Sequence, residues 1–325
     1  MEGGGGAEAR RAGASWPGWP LVGFAALSTL GLFAVVVLGF VDTATGSALG
    51  CGRSFPLCNG AVLPGPGLHA LIEWSHRVLA AVVGLMVGAL AVWAWIRAWR
   101  FAEVRVLGLI AVGFIFIESA VGALAVLAPE SQAVIAIHLG IALTAFAATA
   151  ILGGVLADLR SSRRAPLRPP VPRRLAAWSW ALLAYMYLAV YLGAYVAGTQ
   201  SGEACLTWPL CTAGPLTASL GNPVTIDTLH RAAALGAGAI ATYVALLARS
   251  VRAARPDLAR LGHAVAALVA LQIVSGLVLV LTRLALAATL VHVGLVTILF
   301  TASAALAFGT LPAAPGRRAS PAGRG

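Results

Sequence analysis

Apolar residues run along this chain in eight long blocks, near 21–41, 71–96, 104–128, 133–156, 175–198, 227–249, 261–283 and 287–309, with short polar stretches between them. Each block is about 20 residues long, the length a helix needs to cross the hydrocarbon of a bilayer. Backbone polar groups in lipid have to be bonded within their own segment, so each block predicts a helix. The fold class read from this pattern is all-α: a polytopic membrane protein with eight transmembrane helices.

Composition agrees with the pattern. The chain is 60% hydrophobic and 10% charged, where a soluble domain carries roughly a quarter charged residues. The net charge of +11 invites a nucleic-acid partner, but its distribution excludes one. All 22 basic residues are Arg. They cluster before the first block (Arg10, Arg11), between blocks 2 and 3, 4 and 5, and 6 and 7, and in the tail. Short loops rich in Arg stay cytoplasmic. Both termini are therefore expected in the cytoplasm, and loops 42–70 and 199–226 outside the plasma membrane. Residues 1–20 read as a disordered cytoplasmic N-terminus ahead of an uncleaved anchor, and 311–325 as a disordered cytoplasmic tail.

The chain also repeats itself. Cys51 and Cys205, His76 and His230, and His138 and His292 are each 154 positions apart. The neighbours repeat too: "GCGRSFPLC" echoes "EACLTWPLC", "SHRVLAAVVG" echoes "LHRAAALGAG", and "IHLGIALTAF" echoes "VHVGLVTILF". Two halves follow, 21–159 and 175–310, joined by the Arg/Pro-rich linker 160–174. Four helices per half bring both halves in from the same side, so they are expected to be four-helix bundles related by a pseudo-twofold axis along the membrane normal.

Four of the six histidines share one depth. His76, His138, His230 and His292 each lie about five residues into a block running inward, about 5–9 Å below the outer boundary at 1.5 Å per residue. Each half thus offers two imidazoles from two helices, which suits bis-histidine ligation of a heme in a bundle core. Arg77 and Arg231 each follow a histidine and are candidate partners for heme propionates. His69, in an outer loop with no repeat mate, and His263, at the wrong depth, are not expected to take part. The halves differ in their acids. Glu73 lies three residues before His76, on the same helix face, and the shorter Asp227 holds that place in the second half. Glu118 is matched by Gln272. Glu73 could orient His76 or carry a proton; Glu118 reads first as a helix–helix hydrogen-bonding group.

All four cysteines fall in the two outward loops. Even number and short spacing in an oxidising compartment argue for one disulfide per loop, Cys51–Cys58 and Cys205–Cys211, as staples or as a thiol relay.

These residues together resemble the heme A synthase family. The resemblance rests on "VDTATGSALGCGRSFPLCNG" leaving the first helix, "IEWSHR" opening the second, "AIHLGIAL", "TLHRAAAL" and "LVHVGLV" on the other histidine helices, and "CLTWPLC" in the second loop. It runs from about residue 20 to 310. It implies an oxidoreductase that converts the methyl group at ring position 8 of heme O to a formyl group by successive hydroxylations, for terminal oxidase biogenesis. It further implies that His230 and His292 ligate a resident heme b, and that His76 and His138 line the heme O site, assisted by Glu73. The family's cysteine pairs map onto Cys51/Cys58 and Cys205/Cys211. Expected partners are heme O as substrate, a heme O synthase, oxidase assembly factors, membrane lipid and an electron donor or acceptor the sequence does not name. The main rival is a b-type cytochrome passing electrons between quinone and extracytoplasmic thiols. A transporter fits less well, because Pro is confined to loops and tails.

Overall fold

A computed structural model of the chain describes residues 17–127, 132–162, 169–212, 214–217, 219 and 221–312. Among them are eight long helices: α1 (Trp19–Ala44), α2 (Leu68–Ala98), α3 (Ala102–Leu127), α4 (Gln132–Ser162), α5 (Arg173–Gly198), α6 (Pro223–Ser250), α7 (Pro256–Leu281) and α8 (Leu286–Gly309). All eight are long and apolar enough to span a membrane. The protein is a multi-pass membrane protein. Both termini expected to be disordered lie mostly outside the described residues.

Several helices start ahead of their apolar blocks, and at three of them the first turn carries a helix-starting signal. α1, α6 and α7 begin with Pro in the first turn, where its missing N–H costs nothing. Asn222 caps α6, its side-chain oxygen accepting from Val224 N–H at 2.9 Å and Thr225 N–H at 3.2 Å. His76 is the ninth residue of α2 and His230 the eighth of α6, further in than the apolar blocks alone imply. Of the expected linker 160–174, residues 160–162 prolong α4, Arg173 and Arg174 open α5, and 163–168 lie outside the described residues.

In the first four helices α1 packs on α2, α2 on α3, α3 on α4 and α4 back on α1; α5 to α8 repeat that order. Contacts between the two sets run through α4–α5, α1–α8 and α4–α8. The interior is built from Ala, Val and Leu: Leu90, Ala94, Leu152 and Leu156 in one set, and Leu182, Ala241, Val244 and Leu306 in the other, all fully buried. Lipid is as apolar as Leu, so association comes from close van der Waals fit, which small residues permit. Buried hydroxyls are satisfied inside their own helices; Ser28, Thr149, Thr297 and Ser303 each donate to the carbonyl four residues back. At the end away from the disulfides, buried Arg255 clamps Asp257, Pro169 O and Gly309 O.

Candidate heme-ligating site

Both disulfides form, Cys51–Cys58 and Cys205–Cys211. Each loop leaves its helix through one hydroxyl pair, Thr45 to Ser47 at 2.6 Å and Thr199 to Ser201 at 2.7 Å. An arginine then fastens each loop to the helix that carries a histidine. Arg77 Nη1 donates to Ser54 O at 2.7 Å and Leu57 O at 2.9 Å, and its Nη2 donates to the Glu73 carboxylate. Arg231 Nη1 donates to Thr207 O at 2.5 Å and Pro209 O at 3.1 Å, and its Nη2 to Cys205 O at 2.7 Å. Its Nε pairs with Asp227 Oδ2 at 2.6 Å. The two guanidinia expected at heme propionates therefore hold loop carbonyls, which leaves Arg77 two free N–H groups and Arg231 one.

Glu73 is 2% exposed, and its second oxygen accepts from Cys51 N–H at 2.7 Å. Its carboxylate is taken up by the loop and by Arg77, not by His76. Asp227 is one methylene shorter and makes the arginine pair alone.

The four histidines sort into pairs. His76 of α2 and His138 of α4 are within electrostatic reach of each other, and so are His230 of α6 and His292 of α8. The other helices of each set present glycine to these rings. A Cβ on Gly39 of α1 would stand 2.7 Å from His76 Cε1, and on Gly193 of α5 2.7 Å from His230 Cε1. On Gly122 of α3 it would stand 3.0 Å from His138 Cε1, and on Gly276 of α7 3.7 Å from His292 Cε1. Gly39/Gly193 and Gly122/Gly276 are again 154 positions apart.

The ring nitrogens decide what the pairs can hold. Nδ1 of His76, His138 and His230 is buried with no hydrogen-bond partner. The Val35 and Ala189 carbonyls interact with His76 and His230 without forming an aligned bond to Nδ1. Glu118 Oε1 is 3.2 Å from His138 Nδ1, again out of alignment. His292 differs: Nδ1 meets Ser275 Oγ at 2.7 Å and Nε2 meets the Gln272 amide nitrogen at 3.0 Å. Unpartnered imidazole nitrogens in an apolar bundle, each ring with a glycine opposite, are a donor set suited to iron porphyrin. At His292 the Ser275 bond fixes the tautomer a ligand would need, and the Gln272 amide would have to swing off Nε2. His69 and His263 stand apart, bonded to Ser47 Oγ at 2.9 Å and Ala259 O at 2.6 Å.

Residues 67–304 match the cytochrome oxidase assembly protein family COX15-CtaA. The chain belongs to that family. Among COX15-CtaA relatives, it is 33% identical to the heme A synthase of Bacillus licheniformis over 287 residues, covering 86% of this chain and 92% of that protein. It is 36% identical to the heme A synthase of Symbiobacterium thermophilum over 295 residues, 88% of this chain and 94% of that one. The heme A synthase of Alkalihalophilus pseudofirmus is 32% identical over 282 residues, 86% and 93%.

Sequence reasoning passed over two features of this COX15-CtaA chain. The glycines facing the rings were legible through the same 154-residue spacing as the histidines. Asp42, in the last turn of α1, is 7% exposed, its Oδ1 is buried without a partner, and it acts electrostatically on Glu73 and Arg77. The only sequence signal was an acid at the end of an apolar block.

Proposed function

We propose that this chain is a heme A synthase, oxidising the C8 methyl of heme O to a formyl group for terminal oxidase assembly. The observation that carries the reading is the imidazole pairing, His76 with His138 and His230 with His292, in a chain that shares 32–36% identity with heme A synthases over nearly its full length. Heme iron, when bound, supplies the redox chemistry that an unactivated methyl group requires.

The protein's own residues bind, orient and enclose. His76 and His138 hold heme O in the half 21–159; His230 and His292 hold a resident heme b in the half 175–310. The repeated helix order and the matching glycines support descent of both halves from one four-helix unit. Ser275 keeps Nδ1–H of His292 occupied so that Nε2 is the nitrogen that would hold heme, and the Gln272 amide, which now bonds Nε2, would have to turn aside. Glu73 assists the heme O site by locking the Cys51 turn over the first turns of α2. Arg77 and Arg231 hold the two disulfide loops against α2 and α6, and their remaining N–H groups are the ones left for propionates. Arg clustering supports cytoplasmic termini and extracytoplasmic disulfide loops. Heme is poorly soluble in water, which favours direct delivery from a heme O synthase.

The deciding experiment expresses the protein with and without a source of heme O, extracts the pigments and separates them by chromatography. Heme A formed only with heme O is the expected result. Heme b alone under both conditions would make the protein an electron-passing cytochrome and overturn the assignment.

A further inference from the structure

The first half carries a buried polar branch that the second half lacks. Asp42 sits one turn beyond Gly39 on α1, as Glu73 sits one turn beyond His76 on the antiparallel α2. Glycine faces histidine, and acid faces acid. Of the two acids Glu73 has a partner on each oxygen, Arg77 on one and the Cys51 N–H on the other. Asp42 has a buried oxygen with no hydrogen-bond partner, and the charged groups acting on it are Glu73 and Arg77 of α2. The other helices packed on α1, α4 and α8, bring His138 and His292 as their titratable groups near this depth.

The turn that follows Asp42 leads to the surface. Ser47 N–H donates to Asp42 O at 2.8 Å. The Ser47 hydroxyl joins Thr45 at 2.6 Å on one side and the exposed ring of His69 at 2.9 Å on the other. The second half keeps the hydroxyl pair as Thr199 and Ser201, but has Val196 where Asp42 stands and Pro223 where His69 stands. The hydroxyls are common to both halves; the carboxyl and the surface imidazole belong to one.

We propose that Asp42 is the proton-exchange group of the heme O pocket, connected to the aqueous surface at the disulfide end through Thr45, Ser47 and His69, with water bridging from the free carboxyl oxygen. This rests on the heme A synthase reading, and assigns the proton to Asp42 while Glu73 anchors the loop. Hydroxylation of the methyl moves two protons whichever way the oxygen arrives. With dioxygen and an electron donor, R–CH3 + O2 + 2H+ + 2e− gives R–CH2OH + H2O. With water and an electron acceptor, R–CH3 + H2O gives R–CH2OH + 2H+ + 2e−. A carboxyl that neither pairs with a cation nor serves the backbone can take up and release such protons without disturbing the fold.

The test is redox-induced infrared difference spectroscopy on the purified protein carrying its heme, with heme O conversion measured alongside. A carboxyl C=O band responding to reduction is expected to shift when the protein contains 13C-labelled Asp and to stay when it contains labelled Glu. It should vanish in Asp42→Asn and persist in Glu73→Gln. Asp42→Asn should bind heme yet convert heme O about 10²–10⁴-fold more slowly, the usual loss for a missing acid–base group. His69→Ala should be slowed as well and recover with added imidazole. A band that follows labelled Glu, or wild-type conversion by Asp42→Asn, overturns the proposal; the Asp labelling reads out on the unmutated protein even if the variant does not fold. Failure of the underlying reading looks different, because wild-type protein would then make no heme A.

Discussion

Gly193→Ala isolates what the glycine opposite a histidine does. The added methyl would stand 2.7 Å from His230 Cε1, where ordinary contacts begin at 3.4 Å, so the ring has to retreat by about 0.7 Å. In the protein without heme that retreat is cheap, since an unliganded imidazole turns aside. In the heme-bound protein it is not, because ligating groups have to be held within about 0.5 Å of their working position. Gly276→Ala is the internal comparison. Its methyl would lie 3.7 Å from His292 Cε1, an ordinary contact, on the histidine paired with His230. Ala is favoured over Gly in a helix interior by about 1 kcal/mol, so neither change weakens α5 or α7 through propensity. The expected outcome is that Gly193→Ala keeps its helical circular dichroism and its melting temperature without heme. The reduced heme spectrum should lose low-spin six-coordinate character, and heme retention through purification should fall about 10–100-fold, the scale of lesions that misplace a metal ligand. Gly276→Ala should keep both. A low-spin spectrum in Gly193→Ala, or equal bleaching by both variants, would refute the steric argument.

Ser275→Ala removes the acceptor that fixes the His292 tautomer and should weaken heme retention about 10–100-fold, measured by titrating heme into stripped protein. Gln272→Leu should move retention the other way, by freeing Nε2. Arg231→Gln breaks three bonds to carbonyls of the second disulfide loop and the pair with Asp227. The Cys205–Cys211 disulfide should then be reduced several-fold faster by dithiothreitol while the Cys51–Cys58 bond keeps its rate; Arg77→Gln should reverse that preference, and equal rates throughout would show that the arginines do not hold the loops.

Much of the site was legible in the sequence, for identifiable reasons. The spans followed from apolar length, and the four histidines from a spacing that also repeated their neighbours. What the sequence left out depended on reach. Arg77 and Arg231 read as anion partners because each follows a histidine, yet a guanidinium one turn into a helix is also within reach of a loop folded back on it. The carbonyls of Ser54, Leu57, Thr207 and Pro209 claim it first. Glu73 read as a group that orients His76 or carries a proton, because three residues place both on one face. The Cys51 N–H, distant in sequence, competed for the same oxygen.

By itself the sequence determined the number of spans, the 154-residue spacing of its repeated motifs and the placement of the cysteines in two loops, because hydropathy and periodicity are properties of contiguous residues. Only the tertiary structure decided that Gly39 and Gly193 face the rings, that Glu73 is already occupied while Asp42 is not, and that the Gln272 amide sits on Nε2 of His292. Those facts turn on how helices are rotated about their axes and how far they slide past one another. Rotation and register are set by the fit of side chains from segments far apart in the chain, and no single stretch of sequence carries that information.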